Sequence, residues 1–260
     1  MKIAVITGAS SGMGREFVYQ LDALEKFDEI WVIARRRERL EALASETRAN
    51  IRPIAVDLTK EEGIEQYKRM LNVIKPHVAV LVNASGFGKF GAFTSLSLED
   101  QQNMIDLNVK AYVALTHITL PYMGKTSRIY NLDSLSAFMR SIRVNCSSRI
   151  LPQCMYAATK AFVLSYSRSL NYELKKRGIK VLAVCPGWVK TEFMDRANTD
   201  DSIQYYFRLY TPEAVVSKAI SDMSKGRDVS VCGLATQAIV ALSKVFPASL
   251  SMKFWCKQQK

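Results

Sequence analysis

The chain has 260 residues, a mass of 29.3 kDa and 48% hydrophobic content, which fits one soluble α/β domain. The sequence shows no signal-peptide pattern, and no apolar run approaches the ~20 residues of a membrane span. Its five cysteines are odd in number and form no CxxC pair, so we expect buried thiols in a reducing, cytoplasmic compartment and not a disulfide framework. The net charge is +12, but lysines and arginines are spread along the chain without a nucleic-acid-binding motif, so a solvated basic surface is favoured over nucleic-acid binding.

A glycine-rich stretch at residues 2–14, KIAVITGASSGMG, lies between an apolar strand and a helical segment at residues 15–24. Gly8 permits a tight exit from the strand, and Gly12 and Gly14 allow close backbone approach and helix–strand packing. Because free N–H groups at the start of a helix attract anions, this order predicts a dinucleotide-binding site; the alternative is a turn that only packs. The predicted cofactor-binding residues of the turn are Gly8, Ser10, Ser11, Gly12, Met13 and Gly14.

Strand-like and helix-like segments alternate along the rest of the chain. The predicted strands are residues 3–6, 29–34, 51–56, 78–82, 128–132, 179–185 and 229–232. The predicted helices are residues 15–24, 36–48, 60–74, 98–120, 153–177 and 212–224. Such alternation produces right-handed βαβ crossovers, and near-continuous Val/Ile strands are buried on both faces. The prediction is an α/β, doubly wound Rossmann fold, with a single parallel sheet of about seven strands flanked by helices, in one domain over residues 1–260.

The end of the second predicted strand bears on the choice of coenzyme. In dinucleotide folds an acidic residue there binds the ribose 2′-hydroxyl, whereas an arginine accommodates a 2′-phosphate. This strand ends in three arginines without an acid, and Arg35 can bind a phosphate bidentately, so NADP(H) is predicted over NAD(H). The alternative is that Arg36 and Arg37 begin a solvent-facing helix, which we accept for Arg37. Arg15 is a second, weaker candidate for the phosphate.

Tyr156 and Lys160 are the candidates for acid–base chemistry. With only two histidines, His77 and His117, a histidine-rich metal site or a histidine-based triad is not expected. The spacing i, i+4 in a predicted helix puts the phenol and the ammonium on one face. A nearby cation favours the phenolate and lowers the tyrosine pKa from its reference value of ~10. The pair can then donate a proton to an alkoxide or remove one from an alcohol; the alternative is a solvated helix face.

Taken together, these motifs resemble those of the short-chain dehydrogenase/reductase family over nearly the whole chain. The matching residues are Thr7-Gly8-x3-Gly12-x-Gly14, Asp57-Leu58, Asn83-Ala84-Ser85-Gly86, Asn108, Ser134, Tyr156-x3-Lys160, and Pro186-Gly187 with Thr191. The resemblance implies direct hydride transfer between a nicotinamide and a carbonyl carbon, without a metal. It also implies a homodimer or homotetramer formed through the helices at residues 98–120 and 153–177.

The resemblance further implies a role for each catalytic residue. Tyr156 would be the general acid–base, and Lys160 would lower its pKa and bind the nicotinamide ribose. Ser134 would hydrogen-bond the substrate oxygen, and Asn108 would hold a water in a proton relay to Lys160. The implied cofactor-binding residues beyond the first turn are Asp57, Leu58, Asn83, Ala84, Gly86, Tyr156, Lys160, Pro186, Gly187, Val189 and Thr191.

Two features depart from the family pattern. The segment from Asn83 to Gly86 reads Asn-Ala-Ser-Gly where the family usually has Asn-Asn-Ala-Gly, and only a local adjustment is expected. Ser134 precedes Tyr156 by 22 residues, a longer gap than usual, which indicates an insertion at residues 139–149 beside the active site. Ser136 is therefore an alternative to Ser134, with two less suitable serines, Ser147 and Ser148. The insertion is either a disordered surface loop or a lid whose arginines, Arg140, Arg143 and Arg149, meet an anionic substrate tail.

Three segments are expected to frame the substrate: residues 88–95, residues 188–210 and the tail at 234–260. Their bulky apolar residues, which suggest a hydrophobic carbonyl compound or core packing, are Trp188, Phe193, Met194, Tyr205, Tyr206 and Phe207. The tail is expected to pack on its own domain, with a subunit contact or a membrane surface as alternatives.

The predicted function is that of an NADP(H)-dependent oxidoreductase that interconverts a ketone and a secondary alcohol on an apolar substrate, for example a hydroxysteroid. One alternative is a 3-oxoacyl reductase that acts on an acyl-carrier protein or coenzyme A. An alternative of another class is an NADP(H)-sensing regulatory protein that keeps the nucleotide cradle without turnover, although the intact Tyr156, Lys160 and Asn108 argue against it.

Overall fold

A computed structural model describes residues 1–91, 93–138, 154–197 and 208–245. Its strands are β1 Lys2–Thr7, β2 Glu29–Ala34, β3 Asn50–Ala55, β4 His77–Asn83, β5 Arg128–Leu132, β6 Lys180–Val184 and β7 Val229–Ser230. They form one parallel sheet in the order β3-β2-β1-β4-β5-β6-β7. The chain builds one half of the sheet from β1 outward to β3, then returns past β1 and builds the other half. The predicted doubly wound Rossmann fold is confirmed.

Nine helices of the described residues flank this sheet. They are α1 Gly12–Leu24, α2 Arg37–Glu41, α3 Glu61–Ile74, α4 Leu98–Ile105, α5 Ala111–Thr119, α6 Cys154–Leu174, α7 Glu192–Ala197, α8 Pro212–Ser224 and α9 Leu234–Val245. Short 3₁₀ turns span Ala42–Ser45, Leu120–Tyr122, Leu135–Phe138 and Lys175–Arg177. Within the described ranges, no helix combines the length and the apolar character needed to cross a bilayer.

The helices differ from the sequence-based expectations in three places. The predicted helix at residues 98–120 is interrupted by a π-helical turn, Asp106–Lys110, which separates α4 from α5. The predicted helix at 36–48 ends at Glu41 and continues only as a 3₁₀ turn. Neither α7 nor α9 was predicted, because α7 has only 6 residues and α9 lies in a tail that was expected merely to alternate apolar and basic residues.

Side chains of successive residues in β1 point to opposite faces of the sheet, and both faces are covered. Ala4 and Ile6 pack in one core with Phe17 of α1, whereas Ile3 and Val5 pack in the other core with residues of α3, α5 and α6. All five of these side chains are fully buried. Helices therefore close the two faces, and a ligand can approach the sheet at the carboxyl ends of the strands.

Several sequence-based expectations concern residues outside the described ranges. They include the predicted insertion at 139–149, residues 198–207 and the tail beyond residue 245. The individual candidates among them are Arg140, Arg143, Ser147, Ser148, Arg149, Tyr205, Tyr206 and Phe207.

Candidate active site

The glycine-rich turn after β1 has the backbone that its sequence predicts. Gly8 and Gly12 have φ angles of +67° and +55°, in the left-handed region that glycine adopts without strain. A Cβ atom on Gly8 would lie 2.7 Å from the carbonyl oxygen of Ala84, and a Cβ on Gly14 would lie 2.6 Å from the carbonyl carbon of Gly8. Only glycines therefore let α1 and the loop after β4 approach this turn so closely. Thr7 fixes the loop, because its Oγ1 accepts hydrogen bonds from the backbone N–H groups of residues 84 and 85 at 2.9 and 3.0 Å.

A cavity of about 880 Å³ lies over the carboxyl ends of the strands, a volume within the range of small-molecule sites. Nearly all the predicted site residues line it. These are Gly8, Ser10, Ser11, Gly12, Met13, Gly14, Arg35, Asp57, Leu58, Ala84, Gly86, Ser134, Tyr156, Lys160, Pro186, Gly187, Val189 and Thr191. Two predicted site residues, Asn83 and Asn108, are not in this lining.

Asn83, which was expected to line the cofactor, is instead fully buried between the sheet and α5. Its Nδ2 donates to Thr116 Oγ1 at 3.2 Å and to Asn131 Oδ1 at 2.9 Å. The side chain therefore links β4 to β5 and α5 beneath the cavity. The residue of this motif that first reaches the cavity after β4 is Ala84, followed by residues 85 and 86.

Asn108 lies in the π-helical turn and is also fully buried. Its Nδ2 donates to the Phe87 carbonyl at 2.9 Å and to Thr159 Oγ1 at 3.2 Å, and its Oδ1 accepts from the Phe87 N–H at 3.1 Å. The side chain thus ties the loop after β4 to α6, where Lys160 is located. The expected water relay from Asn108 to Lys160 stays a prediction, since the side-chain amide is already committed to these contacts.

Tyr156 and Lys160 project from α6 into the cavity, and Ser134 reaches it from the end of β5. Lys160 Nζ donates to the carbonyl of Leu132 at 2.7 Å and lies 5.7 Å from the centre of the Tyr156 ring. Ser134 makes a side-chain hydrogen bond with Tyr156. Its Oγ also accepts from the backbone N–H of Ser136 at 3.1 Å, so Ser136 supports Ser134. Of these two serines, Ser134 is the one that bonds to the phenol.

Burial has the largest effect on the pKa values of Tyr156 and Lys160. It raises the pKa of Tyr156 well above the ordinary value, the hydrogen bond from Ser134 acts in the opposite direction, and the nearby Asp133 carboxylate raises it further. Burial lowers the pKa of Lys160 to about 8, against the attraction of Asp133. Burial thus outweighs the hydrogen bond from Ser134, and the expectation that Lys160 lowers the phenol pKa stays a prediction. The phenol keeps its proton at neutral pH and is able to act as an acid.

Asp133 is a charged group in this site that sequence reasoning missed. Its side chain is buried, with 3% of the residue exposed, and it lines the cavity next to Ser134. Oδ2 accepts a hydrogen bond from Cys185 Sγ at 3.4 Å, whereas Oδ1 has no hydrogen-bond partner among the described residues. Burial raises the pKa of Asp133 to about 7, opposed by the Lys160 ammonium. The sequence feature that could have revealed Asp133 as a site residue is its position directly after an apolar strand.

The arginines after β2 have three different environments. Arg35 lines the cavity. Arg36 also lines it, and its Nη2 donates to Ser10 Oγ and Ser11 Oγ at 3.1 Å each, so it is not a solvent-facing helix residue. Arg37 is largely exposed and pairs with Glu41 at 3.5 Å, as expected. The second phosphate candidate, Arg15, is directed away from the cavity lining, where it bonds to the side chains of residues 19 and 46.

The part of the cavity around Tyr156 is aromatic. The Phe90 ring makes edge contacts with Tyr156, Trp188 and Phe193, at centroid distances of 6.3, 6.2 and 6.3 Å. The Phe193 ring also packs on the Tyr156 ring at 5.6 Å. Met194 also lines the cavity. The phenol of Tyr156 therefore lies against aromatic rings of Phe90 and Phe193.

Comparisons with known proteins agree with this geometry. A family profile described as short chain dehydrogenase matches residues 2–202. Serine 3-dehydrogenase of Agrobacterium fabrum is 34% identical over 194 residues, which cover 73% of this chain and 72% of that protein. A short-chain dehydrogenase from Sphingobium yanoikuyae in complex with NADPH is 25% identical, with a TM-score of 0.78 over 94% of this chain and 93% of that chain.

A bulky-bulky ketone specific alcohol dehydrogenase from Comamonas testosteroni is 26% identical, with a TM-score of 0.71 over 95% of this chain and 96% of that chain. Sequence profile, relatives and fold thus agree with the resemblance read from the motifs, and they support a pyridine-nucleotide oxidoreductase that acts on CH–OH or C=O groups. The chain belongs to the short-chain dehydrogenase/reductase family.

Proposed function

We propose that this chain is an NADP(H)-dependent oxidoreductase that interconverts a ketone and a secondary alcohol on an apolar substrate. The observation that carries the proposal is the buried phenol of Tyr156, hydrogen-bonded to Ser134 and set between a glycine-rich nucleotide cradle and a cluster of aromatic rings. A polar acid at an otherwise apolar surface is the arrangement that a carbonyl oxygen on a hydrophobic molecule needs.

The residues of the cavity fit an NADP(H) molecule. A Cβ on Gly8 or Gly14 would collide with neighbouring backbone. Because glycine has no side chain, the turn can form here, and its backbone groups are available to a pyrophosphate. Arg35 and Arg36 lie at the end of β2, where a 2′-phosphate is recognised in such folds. The similar Sphingobium dehydrogenase is described in complex with NADPH, which supports this choice. When bound, the reduced coenzyme supplies the hydride.

The chain's own groups would supply the proton and orient the carbonyl. Ser134 and Tyr156 would both hydrogen-bond the substrate oxygen, which fixes the carbonyl and stabilises the negative charge that develops on it. Tyr156 would then transfer its hydroxyl proton to that oxygen. The Lys160 ammonium would stabilise the phenolate that remains. Because burial and Asp133 both raise the pKa of the phenol, Tyr156 holds its proton until a carbonyl oxygen is there to receive it.

The rings around Tyr156 support a bulky apolar substrate, with a hydroxysteroid ketone as one option. Phe90, Trp188 and Phe193 offer apolar contacts. The Comamonas relative is described as specific for bulky-bulky ketones, which is consistent with this proposal. The charged substrate of a serine dehydrogenase would gain less from such a surface, because a zwitterion loses hydration there.

A coenzyme and ketone panel tests the proposal. Purified protein is mixed with NADPH or NADH and with ketones that range from small polar compounds to steroids, and coenzyme oxidation is followed by absorbance. We expect oxidation of NADPH with bulky apolar ketones and much slower oxidation of NADH. Tight NADPH binding without turnover of any ketone or alcohol would contradict the proposal and favour the regulatory alternative.

A further inference from the structure

Glu192, the first residue of α7, binds three guanidinium groups at the mouth of the cavity. Its Oε2 accepts from Arg36 Nη1 at 2.9 Å and from Arg196 Nη2 at 3.0 Å, and its Oε1 pairs with Arg39. Arg36 simultaneously donates to the hydroxyls of Ser10 and Ser11 in the glycine-rich turn. One carboxylate thus joins α7 to α2 across the opening of the nucleotide site.

The position of this carboxylate matters because Arg36, Glu192 and Arg196 all line the cavity. Carboxylates and phosphates are both oxyanions that accept charge-assisted bonds from guanidinium groups. Arg39 and Arg36 together lower the pKa of Glu192 to about 2, so the carboxylate is charged at any physiological pH. Three guanidiniums therefore surround one carboxylate, and the hydrogen bond that Arg36 gives to Glu192 is one that a phosphate at this point would accept.

We propose that Glu192 is a coenzyme-specificity residue: its carboxylate competes with the 2′-phosphate of NADP(H) for Arg36, the guanidinium that both pairs with Glu192 and lines the cavity. The inference rests on the proposed NADP(H) dependence. A coenzyme without the 2′-phosphate leaves Glu192 paired, whereas the phosphorylated coenzyme has to displace it. Glu192 therefore reduces the preference for NADP(H) that the arginines would otherwise give.

The test compares Glu192→Gln, which keeps the shape of the side chain, with Asp195→Asn as the matched control. Asp195 is on the same helix, is exposed and loses the same charge when it is changed. Calorimetric titration with adenosine 2′-monophosphate and adenosine 5′-monophosphate gives two probes of equal charge. We expect Glu192→Gln to bind the 2′-monophosphate and NADPH about tenfold more tightly, a value reduced for solvent screening of a partly exposed ion pair. Affinity for the 5′-monophosphate and NADH should change less than about twofold, and Asp195→Asn should match the parent.

Equal or weaker binding of the 2′-monophosphate by Glu192→Gln would overturn the inference, since the carboxylate would then organise the arginines without competing for them. Glu192→Ala provides a second variant if the glutamine variant unfolds. Failure of the proposed NADP(H) dependence looks different: the parent would bind both monophosphates equally. Should Glu192→Gln then prefer the 2′-monophosphate, the competition would stand and the coenzyme assignment would fall.

Discussion

Asp133→Asn should change how the stability of the protein depends on pH. Asp133 is buried, and its pKa is raised to about 7, whereas the unfolded chain has a value near ~3.9. A carboxyl group with a raised pKa binds its proton more tightly in the folded chain than in the unfolded chain. Its contribution to stability is therefore greatest at low pH, and it is lost as the pH rises through the interval between the two values.

The size of the effect follows from the two pKa values. Between about pH 5 and pH 8, the parent should lose about 2 kcal/mol of unfolding free energy through this one group. Asparagine has nearly the same shape, still accepts a hydrogen bond from Cys185 and carries no charge, so the variant should not show this loss.

Urea denaturation of parent and variant at several pH values measures the difference. The gap in unfolding free energy should widen in favour of Asp133→Asn as the pH rises. Asp195→Asn, on the exposed side of α7, should follow the parent curve. Parallel curves for the parent and Asp133→Asn would refute the argument that Asp133 is a buried carboxyl with a raised pKa.

Three further substitutions test the geometry. Gly14→Ala should lower the unfolding free energy measured by urea denaturation by about 2 kcal/mol or more, because the new Cβ would lie 2.6 Å from the Gly8 carbonyl carbon. Unchanged stability would contradict this packing. Thr211→Ala should destabilise the protein by about 1 kcal/mol, since the Thr211 hydroxyl caps α8; a melting temperature equal to that of the parent would exclude the cap. Phe193→Ala removes one of the apolar contacts beside Tyr156, so kcat/KM for the bulkiest ketone relative to a small one should fall about tenfold; an unaltered ratio would show that Phe193 does not contact the substrate.

The sheet and the glycine-rich turn follow from the sequence because their causes are local. Runs such as residues 3–6 are apolar throughout, as strands buried on both faces must be, and glycine is the residue that adopts the positive φ of Gly8. The same locality explains why Tyr156 and Lys160 were found on one face of α6.

Other parts of the site depend on contacts between distant residues. Arg36 and Glu192 are 156 positions apart, and no periodic pattern indicates that α7, with its 6 residues, crosses the cavity mouth. The break between α4 and α5 likewise accompanies the hydrogen bonds of Asn108 to Phe87, a contact that a helix pattern does not contain. Asp133 was missed because its chemistry arises from burial beside Lys160, which only the fold supplies.

The central claim is that the phenol of Tyr156 gives its proton to a carbonyl oxygen. Single-turnover decay of NADPH absorbance with an apolar ketone tests it most directly, for Tyr156→Phe and for Tyr172→Phe, an exposed tyrosine on the same helix. We predict that Tyr156→Phe binds NADPH normally but reacts about 10²–10⁴-fold more slowly, and that Tyr172→Phe reacts like the parent. A Tyr156→Phe variant that consumed NADPH at the parental rate would contradict the account.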